Sequence, residues 1–184
     1  IKPLDDRRVR QALVHAINRE AIIEEAFQGR FTPARGVLPP GTQGYNPRLR
    51  SYAYDPHRAR ELLAEAGYPG GRGLPALTIW SSVKLEALSQ EFDMVRRDLH
   101  AVGIRLEVNY LTDWPQFSRM LDERRLPIFL YAWYADVPDP DNFLTKLFHS
   151  RGPRNFFAYA NPAVDELLQQ AHGERDLSLR VEFY

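Results

Sequence analysis

An α/β fold around a mainly parallel sheet is what residues 77–134 predict. Leu77 to Ser81 reads as a strand. Leu85, Leu88, Phe92, Val95, Leu99 and Val102 then recur at helical spacing up to Gly103. Ile104, Leu106, Val108 and Tyr110 alternate with Arg105, Glu107 and Asn109, the two-residue period of a half-buried strand. Asp113 and Pro115 open a further helix through Met120 and Leu121, and the continuous apolar run from Ile128 forms a third, buried strand. Strand, helix, strand, helix, strand is the pattern of parallel strands joined by right-handed crossovers.

The flanking segments are mostly helical. Val9, Ala12, Leu13, Ala16 and Ile17 form a stripe behind Asp5 and Asp6, which suit the positive end of a helix. Asn18 caps a second helix carrying Ile22, Ile23, Ala26 and Phe27, stopped near Gly29. From Arg30 to Tyr54, prolines, glycines and tyrosines deny any regular period, so a long surface-hugging loop is expected there. Asp55 then caps a third helix with Pro56 at its first position, Ala59, Leu62, Leu63 and Ala66 facing inward, and Gly67 at its end. The same device of cap then proline recurs at Asp139-Pro140 and Asn161-Pro162. No segment reads as a domain linker, so residues 1–184 are expected to form one α/β lobe.

Composition narrows the functional classes. Twenty-four basic residues balance twenty-four acidic ones, so no bulk field favours nucleic acid or an anionic membrane. Cysteine is absent, which removes disulfides, thiolate metal sites and cysteine nucleophiles together. No apolar stretch approaches the roughly 20 residues of a membrane span. Ile1 at the start and a truncated-looking 179–183 segment at the end lead us to expect an excised piece of something longer.

The chemistry concentrates at residues 128–143, I-F-L-Y-A-W-Y-A-D-V-P-D-P-D-N-F. Ligands of open α/β sheets collect just past the carboxyl ends of the strands, and here that point carries aromatic and acidic side chains suited to a positively charged ligand. Asp139 reads as a helix cap and Asp141 as a first-turn residue. Asp136 lies three residues before that cap, where capping does not require it, so it is open to a ligand ammonium as well as to a structural role. Alternation along the strand puts Tyr131 and Trp133 on one side and Tyr134 on the other. Trp133, nearest the loop, is the better pocket-lining candidate, while Tyr45 and Trp114 suit core or cover. The three carboxylates lack the alternating acids, central glycine and terminal glutamate of a calcium loop, so no metal site is expected. Ser81-Ser82 with Lys84 after a strand suits either an anion at a helix start or simple capping. The five histidines are scattered, and no nucleophile elbow, P-loop or dinucleotide fingerprint occurs, so neither enzyme activity nor a cofactor is expected.

Several segments, taken in order, resemble the extracytoplasmic solute-binding proteins of peptide- and nickel-type ABC importers. They are P-L-D-D-R-R-V-R-Q-A-L-V-H-A-I-N-R-E-A-I at the start, Leu38-Pro39-Pro40-Gly41 through Gly44-Tyr45, and Tyr54-Asp55-Pro56. Leu99 with Gly103-Ile104, W-Y-A-D-V-P-D-P-D-N-F, and the run from Tyr159 to Leu168 complete them. The resemblance implies one lobe of a type II periplasmic-binding-protein-like fold, the other lobe lying outside this stretch. It also implies closure over a peptide or similar small solute, and delivery to the membrane permease of an ABC importer. The location implied is the periplasm or a cell-surface lipoprotein. In peptide-binding members the aspartate of the W-x-x-D pattern takes the peptide α-amine, which by match is Asp136, with Trp133 lining the pocket. Some dipeptide binders hold the peptide carboxylate with an arginine after the preceding strand-like segment, and here Lys84 stands in that vicinity. Tyr131 and Tyr45 complete the expected ligand-contacting set. A solute-sensing domain of a cytoplasmic transcription regulator is the alternative.

Overall fold

The computed structural model describes residues 1–184, and the chain divides into two compact units, residues 1–33 with 52–131 and residues 34–51 with 132–184. The first unit holds the helices α1 (Arg7–Ala16), α2 (Arg19–Phe27) and α3 (Pro56–Glu65), then β1 (Leu77–Ser81), α4 (Glu86–Ala101), β2 (Leu106–Tyr110), α5 (Trp114–Asp122) and β3 (Ile128–Leu130). The second holds α6 (Pro140–Phe148), α7 (Pro162–Gly173) and α8 (Leu177–Phe183). No helix is long and apolar enough to cross a membrane.

The sheet is wholly parallel in the order β2-β1-β3. Leu77 pairs with Leu106 and Ser81 with Tyr110 on one side, and Ile79 to Ser81 pair with Ile128 to Leu130 on the other. Its core draws on Leu77, Leu99, Val102, Ile104 and Leu106, continuous with Ala12, Ala16, Ala59, Leu62 and Leu63 from α1 and α3. Burying one such leucine contributes roughly 1.5–3 kcal/mol. The three alanines lie at the α1–α3 packing, where small side chains let the helices approach closely.

The caps follow the sequence. Asn18 and Asp55 each accept the N–H of the residue three along, Ala21 and Arg58. Asp139 and Asn161 accept from Asp141 and Ala163. Asp98 of α4 is buried and accepts the Asn18 N–H at 2.9 Å, tying α4 to the start of α2. Helical spacing alone does not reveal that bond, because a buried carboxylate on an amphipathic helix reads as part of its polar face.

Two expectations are corrected. Leu85 is not a core member: it stands at the N-cap of α4 and is exposed. The strand from Ile128 is a half-buried edge of three residues, not a buried run reaching Tyr134. The cause lies in β1, the only neighbour of β3. It ends at Ser81, whose hydroxyl donates to the Val83 carbonyl and accepts the Val83 N–H, turning the chain away. Beyond Leu130 there is no ladder for residues 131–134 to join. Their exposure still alternates: Tyr131 and Trp133 are partly buried, Ala132 and Tyr134 exposed.

Candidate functional site

The site residues of the second unit are set by the start of α6. The Asp139 side chain caps this helix and Pro140 occupies its first turn, so Asn142 and Lys146, four residues apart, fall on one face. The segment from Trp133 to Asp136 runs beside that face. Trp133 Nε1 donates to the Asn142 carbonyl at 2.9 Å. The buried Asn142 amide engages Asp136 twice, its Oδ1 accepting the Asp136 N–H at 3.3 Å and its Nδ2 donating to Oδ2 at 3.5 Å. One side chain thereby fixes both the backbone and the carboxylate of Asp136.

The Asp136 side chain is 74% exposed. Its Oδ2 accepts from Lys146 Nζ at 2.7 Å, and the same ammonium lies 5.4 Å from the centroid of the Trp133 ring. The hydrogen bond from Lys146, then that from Asn142, then the lysine's charge hold the carboxyl below its ordinary range, so it is ionised at neutral pH. A carboxylate beside an indole face is an arrangement that binds alkylammonium groups. Asn142 and Lys146 were not singled out from the sequence. The only available signal was their spacing of four behind the Asp139-Pro140 helix start.

The neighbouring aspartates have other partners. Both terminal guanidinium nitrogens of Arg180 donate to Asp139, at 2.7 and 2.9 Å, while Arg180 Nε donates to the Ala171 carbonyl. The α6 cap is thus bound to α7 and α8. Arg180 depresses the Asp139 pKa. Asp141 accepts from the Thr145 hydroxyl one turn on and lies 3.3 Å from His172 Nδ1. The three carboxylates diverge onto three sets of partners, and no group of three acidic or histidine side chains converges.

The remaining expected residues lie elsewhere. Tyr45 lines an open cavity of about 700 Å³ in the second unit, with Val37, Leu38, Leu144 and Tyr184, and neither Trp133 nor Asp136 belongs to that lining. Tyr131 and Lys84 belong to the first unit. Tyr131 stacks on Trp114 with ring centroids 6.4 Å apart, and Lys84 Nζ lies 5.4 Å over the Tyr110 ring. Ser81 and Ser82 are not at a helix start, since α4 begins at Glu86.

Residues 1–155 match the family model described as "Bacterial extracellular solute-binding proteins, family 5 Middle". Heme-binding protein A of Haemophilus influenzae is 34% identical over 189 residues, covering 99% of this chain and 34% of that protein. The dipeptide-binding protein of Escherichia coli K12 is 32% identical over 188 residues, covering 100% of this chain and 35% of its own length. Among solved structures, the dipeptide binding protein from Pseudoalteromonas sp. SM9913 in complex with Met-Leu superposes with a TM-score of 0.88 at 32% identity, covering 100% of this chain and 37% of that one. The chain spans about a third of the length of the curated relatives it matches.

Proposed function

We propose that this chain, which belongs to family 5 of the bacterial extracellular solute-binding proteins, is one lobe of an ABC importer's capture protein that holds a peptide or similar small solute by an ammonium group at Asp136. Delivery to a membrane permease follows capture, outside the cytoplasm, and no catalytic step is involved. The extracellular character of the family supports this reading over the cytoplasmic regulator.

Similarity alone does not select the ligand, because a relative named for heme and one named for dipeptides stand at nearly equal identity, 34% and 32%. The choice rests on one observation: an exposed, ionised carboxylate past a strand end, already holding an ammonium against an indole face. Trp133 is the aromatic wall of that subsite. Tyr45, in the same unit, is proposed as a further ligand contact, and Tyr131 and Lys84, in the first unit, are proposed as contacts from the sequence alone. In the intact protein, Asp136→Ala should weaken free-amine peptides roughly 10- to 100-fold, the range expected for one charge-assisted hydrogen bond. N-acetylated peptides should bind as before. Equal loss for both forms in titration calorimetry would make Asp136 a structural residue and end the proposal.

A further inference from the structure

We infer that Lys146 is a tethered competitor for the ammonium subsite at Asp136, and so determines which ligands that subsite accepts. The inference rests on the ligand reading above and goes beyond it by giving the subsite an occupant. Lys146 Nζ sits 2.7 Å from Asp136 Oδ2 and 5.4 Å from the Trp133 ring centroid. These are the two partners that would recognise an incoming alkylammonium. The chain's own side chain therefore stands where the ligand cation would stand.

Sharing is unfavourable. Oδ2 already accepts from both Lys146 and Asn142. A second ammonium on Oδ1 would lie within a few ångströms of Nζ, and like charges at that range repel. The lysine is free to leave, because its flexible stem is partly exposed and water can take the released ammonium. A ligand with a free amine must therefore displace Lys146, and its apparent affinity falls by the fraction of molecules in which the lysine is paired. A ligand presenting a neutral group at this point meets no such competition. Asn142 holds the carboxylate in place whether or not the lysine is there.

The experiment titrates the intact protein with trialanine and N-acetyltrialanine. Lys146→Met should tighten trialanine roughly three- to tenfold, the competition expected from one exposed ion pair backed by an aromatic face. N-acetyltrialanine should stay within about twofold and Lys146→Arg should behave as wild type, both by the same competition argument. Lys146→Gln serves as a second neutral variant, with thermal melting as the check on folding. Trialanine binding that is unchanged or weakened in both neutral variants overturns the inference, while its loss in Asp136→Ala would leave the ligand reading standing. If Asp136→Ala/Lys146→Met still binds trialanine as tightly as Lys146→Met, the ligand reading itself fails. Absence of trialanine binding by both wild type and Lys146→Met overturns both.

Discussion

Asp136 and Asp139 are three residues apart and chemically identical, yet their surroundings give them opposite uses. Asp139 is spent within the fold, capping α6 and gripping Arg180. Asp136 keeps most of its side chain in solvent and leaves Oδ1 without a hydrogen bond. Their separation was legible in the sequence, because a proline after Asp139 marks it as the cap and leaves Asp136 unassigned. The lysine opposite Asp136 was not legible. That pairing depends on how the loop from Trp133 to Asp139 folds back along α6, which no local period encodes. The Asp139 pair carries a pH signature. Its carboxyl is depressed in the folded state, so its stabilisation is present above the ordinary value of 3.8 and is lost as pH falls through the folded value. Asp139→Asn should destabilise by about 1–3 kcal/mol at neutral pH. The gap from wild type should close as pH drops below about 4, the ordinary carboxylate range. Denaturant melts at several pH values check this, and a gap constant down to pH 2 would contradict it.

At the scale of elements, sequence period located α1 to α7 and two strands well, left α8 unassigned, and misjudged length where pairing decides. β2 alternates and lies where its alternation puts it. β3 stops after three residues because β1 offers no further partner, although the apolar run continues. Apolar composition marks a segment as fit for a sheet, but a neighbouring edge determines how much of it joins. The turn from α4 into β2 shows a constraint of another kind. Gly103 has φ +90°, and a Cβ there would overlap the Gly70 carbonyl group of the 3-10 turn that follows α3. Gly67 at the end of α3 has nearly the same φ, +91°, with open space around it. Both glycines were read as helix stops, and only the fold separates their costs. Gly67→Ala should cost about 1–2 kcal/mol, for left-handed backbone alone. Gly103→Ala should cost at least 1–2 kcal/mol more, roughly the penalty of overpacking two backbones. Equal losses in paired urea melts would show that the close approach is not maintained in solution.

For the molecule as a whole, the α/β class and the parallel sheet were readable because each strand and helix carries its own period and punctuation. The shared order of several segments, W-Y-A-D-V-P-D-P-D-N-F among them, pointed to the family that residues 1–155 match. What the sequence withheld is the state of the proposed subsite, in which an internal ammonium fills the position offered to a ligand. Affinity would then be a difference between two similar cations, one tethered and one free, and selectivity would follow from which ligands must evict the first. The most direct measurement is the structure of the intact protein with a bound free-amine peptide. The ligand nitrogen should stand about 3 Å from an Asp136 carboxylate oxygen, as a charge-assisted hydrogen bond requires, with Lys146 swung away from it. A bound peptide with its amine elsewhere, and Lys146 still seated on Asp136, would contradict it.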